Sequence, residues 1–336
     1  MSCKMLFFDY RESEEKFFEN NKFENFDIKF FRESLTEETL NLLTEEDFEQ
    51  TLVISIFINS SINDNIVNKF TNLRVISTRS TGYDHIDLNA CLCKNIALIN
   101  IESYGNVSVA EFTFAMMLML VRNLFTAVTT QKNQIISTVD LTGRSLKNMT
   151  LGIVGTGMIG AGVCKIAHGF GMRILGYDIR QNKELENTCG IEYVSFETLI
   201  KNSDIITLHI PFVKENYHIF SYDKFDMMKE GSYFINVARG ELVDNEALLK
   251  TLKSGKLKGV ALDVIACHQD SKASQEKSSL YCIETSDAVK EMATLPNVLI
   301  TPHMAYDTQE AVDYILEKTF EALSDYMQGG RSHRVL

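Results

Sequence analysis

The segment Gly155-Thr-Gly157-Met158-Ile159-Gly160 follows an apolar run, Leu151–Val154, and opens a helical stretch, Ala161–Phe170. A GxGxxG spacing alone arises by chance in glycine-rich loops. In a strand-to-helix turn it has a chemical use. Gly155 permits the tight turn, Gly157 lets backbone approach a pyrophosphate, and Gly160 lets the helix pack close to the strand. The helix start offers N–H donors and partial positive charge to the phosphates. Asp178 closes the next apolar run, eighteen residues after Gly160. A carboxylate there accepts bonds from the adenosine ribose hydroxyls and repels a 2′-phosphate, which favours NAD over NADP.

Three further segments carry reactive side chains: Asn236-Val237-Ala238-Arg239-Gly240, Ala261-Leu262-Asp263-Val264 and Thr301-Pro302-His303-Met304-Ala305. Each lies just past the carboxyl end of an expected strand, where open α/β sheets bind ligands. Singly, such an Arg is a surface cation and such a His a turn residue. In this order, after a dinucleotide motif, they form a constellation.

The elements that must position them alternate between short β-branched runs and amphipathic helical stretches, the pattern of an α/β protein with parallel sheets. Early strands are expected at Lys4–Phe8, Ile28–Phe31, Leu52–Ile56, Val75–Thr78 and Ala97–Ile99, with helices at Glu14–Phe18 and Thr36–Leu43 among those between them. A second set of six is expected at Thr150–Val154, Arg173–Tyr177, Ile205–His209, Ser232–Asn236, Gly259–Leu262 and Val298–Thr301. Six strands make two mononucleotide-binding halves. Ser108 and Glu111 read as a capping box for a helix reaching about Leu124. That helix is apolar on nearly every side, as a domain or subunit interface requires. Thr308–Met327 reads as one amphipathic helix.

Composition narrows the classes. The chain has 336 residues and a net charge of −12, so it suits about two domains and is a poor general nucleic-acid binder. Residues 1–50 hold 14 acidic and six basic side chains, a net of −8, which reads as a solvated face. The longest apolar run, Phe112–Val121, is far short of a membrane span of about 20 residues. Seven scattered cysteines without a CxxC pair point to reduced thiols, no metal site and a cytoplasmic protein.

With these motifs in place, the chain resembles the D-isomer-specific 2-hydroxyacid dehydrogenases over nearly its whole length. The resemblance runs through Thr78-Arg-Ser-Thr-Gly82-Tyr-Asp84-His-Ile-Asp87, Ser108-Val-Ala-Glu111, the glycine loop, Leu208-His-Ile-Pro211, the Ala-Arg-Gly triplet and Thr-Pro-His. Thr78–Asp87 and the long insertion between Asp263 and His303 are most like the D-lactate dehydrogenase branch, that of vancomycin-resistance operons included. The family implies two Rossmann-like or flavodoxin-like domains: a discontinuous substrate domain of 1–101 plus 303–336, and an inserted NAD domain of 102–302. It implies NAD in the interdomain cleft, a small 2-keto or 2-hydroxy acid as substrate, and a homodimer built on the apolar helix. By resemblance, Arg239 binds the substrate carboxylate and polarises its carbonyl, and His303 is the acid–base. Thr81 and Gly82 N–H groups share the carboxylate, and Tyr104 approaches the substrate. Met158, Ile159, Ile210, Pro211, Asn216, Val237, Ala238 and Asp263 join the glycines and Asp178 around the cofactor. Phe57 and Tyr306 are candidate pocket walls by position, with core packing an equal alternative.

The pattern breaks at two places, and the first bears on the chemistry. The family's Glu, 29 residues past the Arg and five past the Asp, falls here on His268. A carboxylate raises the pKa of a neighbouring imidazole, and a second imidazole does not. His303 is therefore expected to be less protonated at neutral pH than in relatives, unless a loop shift brings in Gln269 or Asp270. The family's hinge prolines are also replaced, by Glu102 and Asn106. The altered loop leaves a second reading, an NAD(H)-binding sensor or scaffold with degenerate chemistry. Arg239, His303 and Asp178 argue for the enzyme, reducing pyruvate to D-lactate.

Overall fold

A computed structural model describes residues 2–132, 140–266 and 286–336. The alternating pattern folds into two parallel sheets in two compact units, 2–104 with 307–336 and 105–266 with 286–306. His268, Gln269 and Asp270 lie outside the described residues.

In the first unit the strands are β1 (Cys3–Phe7), β2 (Phe26–Phe30), β3 (Val53–Ile56), β4 (Val75–Thr78) and β5 (Ala97–Asn100), ordered β2-β1-β3-β4-β5. This is the flavodoxin-like order. β3, β4 and β5 are buried along their whole length, as a sheet covered on both faces demands. One face packs on Leu6, Ile54, Ile76 and Leu98, the other on Phe7, Val53, Val75 and Ala97. The C-terminal helix Gln309–Met327 brings Val312, Leu316 and Phe320 onto the second face. Thr308 caps that helix through the Ala311 N–H. The expected helix Thr36–Leu43 shrinks to a 3₁₀ turn, Glu38–Leu42. Thr36 and Thr39 bond locally there instead of continuing a helix.

In the second unit the strands are β6 (Thr150–Val154), β7 (Arg173–Tyr177), β8 (Glu192–Tyr193), β9 (Ile205–Leu208), β10 (Ser232–Asn236), β11 (Leu257–Leu262) and β12 (Val298–Ile300). Their order is β12-β11-β10-β9-β6-β7-β8, all parallel. The doubly wound order is extended by one strand at the β12 edge. The six expected strands form, and β8 is a seventh. Two residues carry too little pattern to announce themselves.

The apolar helix spans Asn106–Val121, with Gly105 at its N-cap. The expected capping box does not form. Ser108 is already inside the helix, buried, with no partner for its hydroxyl among the described residues, and Glu111 is exposed. The helix also stops before Leu124. Asn123 adopts a left-handed φ of 51° and a new helix, Leu124–Lys132, begins. Among the described residues no single helix is long and apolar enough to cross a membrane.

Candidate active site

Registration aligns the carboxyl ends of five strands. Val154 pairs with Leu208, Leu208 with Asn236, Asn236 with Leu262, and Leu262 with Ile300. The next residues, Gly155, His209, Val237, Asp263 and Thr301, therefore leave the sheet along one row. Segments far apart in sequence become neighbours because the strands end level.

The glycine loop sits at the switch point between β6 and β9. Gly155 has φ 93°, and an added Cβ would stand 2.6 Å from the His209 carbonyl oxygen. A Cβ on Gly160 would overlap the Gly155 carbonyl oxygen. Gly157 is different: no atom of the described residues lies within 4 Å of its added Cβ. Packing does not demand that glycine, so the open space suits a ligand. Helix Met158–Gly169 starts there, with Met158 exposed and Ile159 partly so. Ile210 packs beside Gly155. Asn216 ties the following loop by donating to the Pro211 carbonyl and accepting from the Val213 N–H.

Asp178 accepts the Thr156 N–H at 2.5 Å and its hydroxyl at 3.2 Å, both on Oδ2, while Oδ1 accepts the Arg180 N–H. The turn thus holds a carboxylate at the end of β7. Thr156 was not a candidate from sequence, although a hydroxyl between the first two glycines of the motif is a visible signal. Tyr193, which donates to Thr156, had no signal because its strand had none.

At the other end of the row, Asn236 is fully buried; its side chain accepts from the Ala238 N–H and donates to the Arg239 carbonyl. This fixes the turn that presents Arg239. Val237 and Ala238 are buried. Arg239 is partly exposed and donates to the Ala238 carbonyl at 2.8 Å. Gly240 must be glycine because a Cβ would overlap the backbone of Ile265 and Ala266.

Asp263 has no exposed surface. Its carboxylate accepts the Thr301 hydroxyl and the N–H groups of Met304 and Ala305. It clamps the loop that carries His303, which adopts φ 52°. That clamp also explains why His303 and Tyr306 belong to the second unit, beyond the expected boundary at 302. Burial holds the His303 pKa below its ordinary value; Arg239 lowers it further and Asp263 opposes them. The three named groups therefore sense one another. Tyr306 is buried, edge-on to His303, with centroids 6.3 Å apart.

Thr81, Gly82 and Tyr104 belong to the first unit. The loop after β4 is pinned by Thr81 donating to Ile101, Asn100 donating to Thr81, and Ser80 donating to Gly82. Among the described residues the Thr81 and Gly82 N–H groups have no partner. Tyr104 packs partly on the core.

Sheet order, glycine turn and the acid beyond it define a dinucleotide-binding protein. Residues 114–305 match the family described as D-isomer specific 2-hydroxyacid dehydrogenase, NAD binding domain. An aromatic 2-oxoacid reductase of Clostridium sporogenes is 36% identical over 276 residues, 81% of this chain and 82% of that protein. A D-lactate dehydrogenase of Lactiplantibacillus plantarum is 30% identical over 340 residues, 98% of each. The structure of a D-lactate dehydrogenase from Aquifex aeolicus, complexed with NAD and lactic acid, matches with a TM-score of 0.83 and 32% identity, covering 98% of this chain and 97% of that one. The chain belongs to the D-isomer-specific 2-hydroxyacid dehydrogenase family. It is an oxidoreductase of that family, its cofactor is NAD, and the family acts on small 2-hydroxy and 2-oxo acids.

Proposed function

We propose that the protein is a D-lactate dehydrogenase, reducing pyruvate or another short 2-oxo acid to the D-2-hydroxy acid. The observation that supports this most is the common row of strand ends that carries both Arg239 and the Asp263-clamped His303. Bound NADH supplies the hydride for C2. The guanidinium fork of Arg239 matches a carboxylate and withdraws charge from the adjacent carbonyl. His303 gives its proton to the carbonyl oxygen as the hydride arrives, and takes it back in the reverse direction. Asp263 acts through His303, by fixing its loop and by favouring its charged form.

In this reading the free Thr81 and Gly82 N–H groups are further carboxylate donors, and the first unit is the substrate-binding one. Tyr104 and Tyr306 contact the substrate. The glycines, Met158, Ile159, Ile210, Pro211, Asn216, Val237 and Ala238 line the cofactor, and Asp178 takes the ribose and excludes the 2′-phosphate. The open space at Gly157 and the carboxylate of Asp178 fit that role.

NADH oxidation with pyruvate, 2-ketobutyrate, 2-ketoisocaproate, phenylpyruvate and oxaloacetate, at about pH 5.5 and 7.5, tests the reading. The expected result is fastest turnover on pyruvate with D-lactate as product. Fastest turnover on phenylpyruvate would move the assignment to the aromatic acids, as the reductase from Clostridium sporogenes suggests. No turnover despite saturable NADH binding would favour a sensor.

A further inference from the structure

Behind Asp178 lies a hydrogen-bonded chain that no motif announces. The Asn182 N–H donates to the Tyr193 hydroxyl at 3.0 Å. Tyr193 donates to the Thr156 hydroxyl at 2.9 Å, and Thr156 donates to Asp178. The directions are not interchangeable. Asn182 offers a backbone N–H, which can only donate, so the Tyr193 oxygen accepts it and its proton goes to Thr156. Thr156 Oγ then accepts, and its own proton is left for the carboxylate.

The chain is also anchored sterically. β8 pairs with β7 so that Tyr193 stands opposite Gly176. A Cβ on Gly176 would meet Ile191 first, at 2.5 Å, and then the Tyr193 ring at 3.2 Å, so the glycine leaves room for both side chains beside the strand that ends in Asp178. Thr156 itself is buried. Oδ2 of Asp178 takes both Thr156 donors and Oδ1 takes Arg180. A carboxylate has about four acceptor sites, so among the described residues the one left open is on Oδ1.

We infer that Tyr193 is a positioning residue for cofactor selection: through Thr156 it holds Asp178 with Oδ1 presented, and so sets how strongly the enzyme prefers NAD over NADP. The inference rests on the reading that Asp178 meets the adenosine ribose. A carboxylate held in place stays in the path of a 2′-phosphate. One that can swing aside does not.

The test is kcat/KM with NADH and with NADPH, using the acid that turns over best, for wild type, Tyr193→Phe, Thr156→Val, Asp178→Ala and the Tyr193→Phe, Asp178→Ala double variant. Fluorescence titration of both cofactors gives Kd independently of turnover, and thermal melts report folding. Tyr193→Phe is expected to lower the NADH-to-NADPH ratio about fivefold, the scale of one hydrogen bond. The KM for NADH should rise while kcat for the same reaction changes little. Thr156→Val should lower the ratio in the same direction. In the Asp178→Ala background, Tyr193→Phe should leave the ratio unchanged. An unchanged ratio in Tyr193→Phe, with a collapsed ratio in Asp178→Ala, overturns the inference and leaves the Asp178 reading standing. An equal loss in the Asp178→Ala background overturns it too, because Tyr193 would then act without the carboxylate. An unchanged ratio in Asp178→Ala removes the reading of Asp178 and the inference with it.

Discussion

His303 combines three local conditions: a left-handed backbone, a loop clamped by Asp263, and a pKa held low by burial and then by Arg239. In the proposed mechanism, reduction needs the protonated imidazole. Its rate should fall as pH rises through a value below the ordinary 6.5 or so of histidine, and the reverse reaction should gain. A pH–rate profile of pyruvate reduction checks this, and a flat profile from about pH 5 to 8 would remove His303 as the donor. Asp263→Asn takes away the one group among the described residues that raises this pKa and should move the limb to still lower pH. His303→Gln should cost about 10²–10⁴-fold in kcat, the usual range for a lost acid–base group. Arg239→Lys should raise KM for the oxo acid and lower kcat together, because an ammonium cannot form the two-pronged contact. The segments bearing Arg239 and His303 stood out through residue type and order, and the family resemblance supplied the roles proposed for them. The clamp was not, since Asp263 and Ala305 are 42 residues apart and no spacing rule links them.

At the scale of the element, the glycine turn separates two jobs that one motif suggests. Gly160→Ala should disturb the turn even without cofactor, because the added methyl meets the Gly155 carbonyl. Gly157→Ala should leave the melting temperature of the cofactor-free protein near wild type and still weaken NADH binding, since its space is open. Melting curves with and without NADH distinguish the two; a Gly157→Ala protein that binds NADH normally would contradict the phosphate assignment. At the end of the chain, Thr308→Ala should cost about 1 kcal/mol in urea unfolding through loss of its cap. Ser108 teaches the opposite lesson. Its pattern matched a capping box, but the chain was already helical from Asn106, and a cap needs a residue outside the helix.

For the whole molecule, pH acts on the fold as well as the chemistry. His209 follows β9, with Nε2 at 3.0 Å from the Thr207 hydroxyl, and burial pushes its pKa down to about 3. The unfolded value is near 6.5, so between the two the unfolded chain binds the extra proton. The contribution is complete above about pH 6.5 and is lost as pH falls toward 3, at up to about 1.4 kcal/mol per pH unit. Urea midpoints of the cofactor-free protein should drop over that window, and His209→Asn should flatten the drop. An equally steep drop in the variant would mean other groups carry it. Assembly is a separate proposal. Leu124, Phe125 and Val128 are exposed beside the apolar helix Asn106–Val121, and a homodimer would cover them. Light scattering should give twice 38.1 kDa, with Phe125→Asp moving the mass toward one chain.

Local chemistry and period were enough to read an α/β chain, a dinucleotide turn, the strands on either side of it and the three segments bearing Arg239, Asp263 and His303. Such signals are short-range, and a single stretch of sequence contains all of each. Strand register decided the rest. Only the level ending of five parallel strands brings Gly155, Asp263 and Thr301 into one row, and only the pairing of a two-residue edge strand brings Tyr193 to Thr156. Those contacts join residues tens of positions apart, and their geometry comes from how buried strands pack.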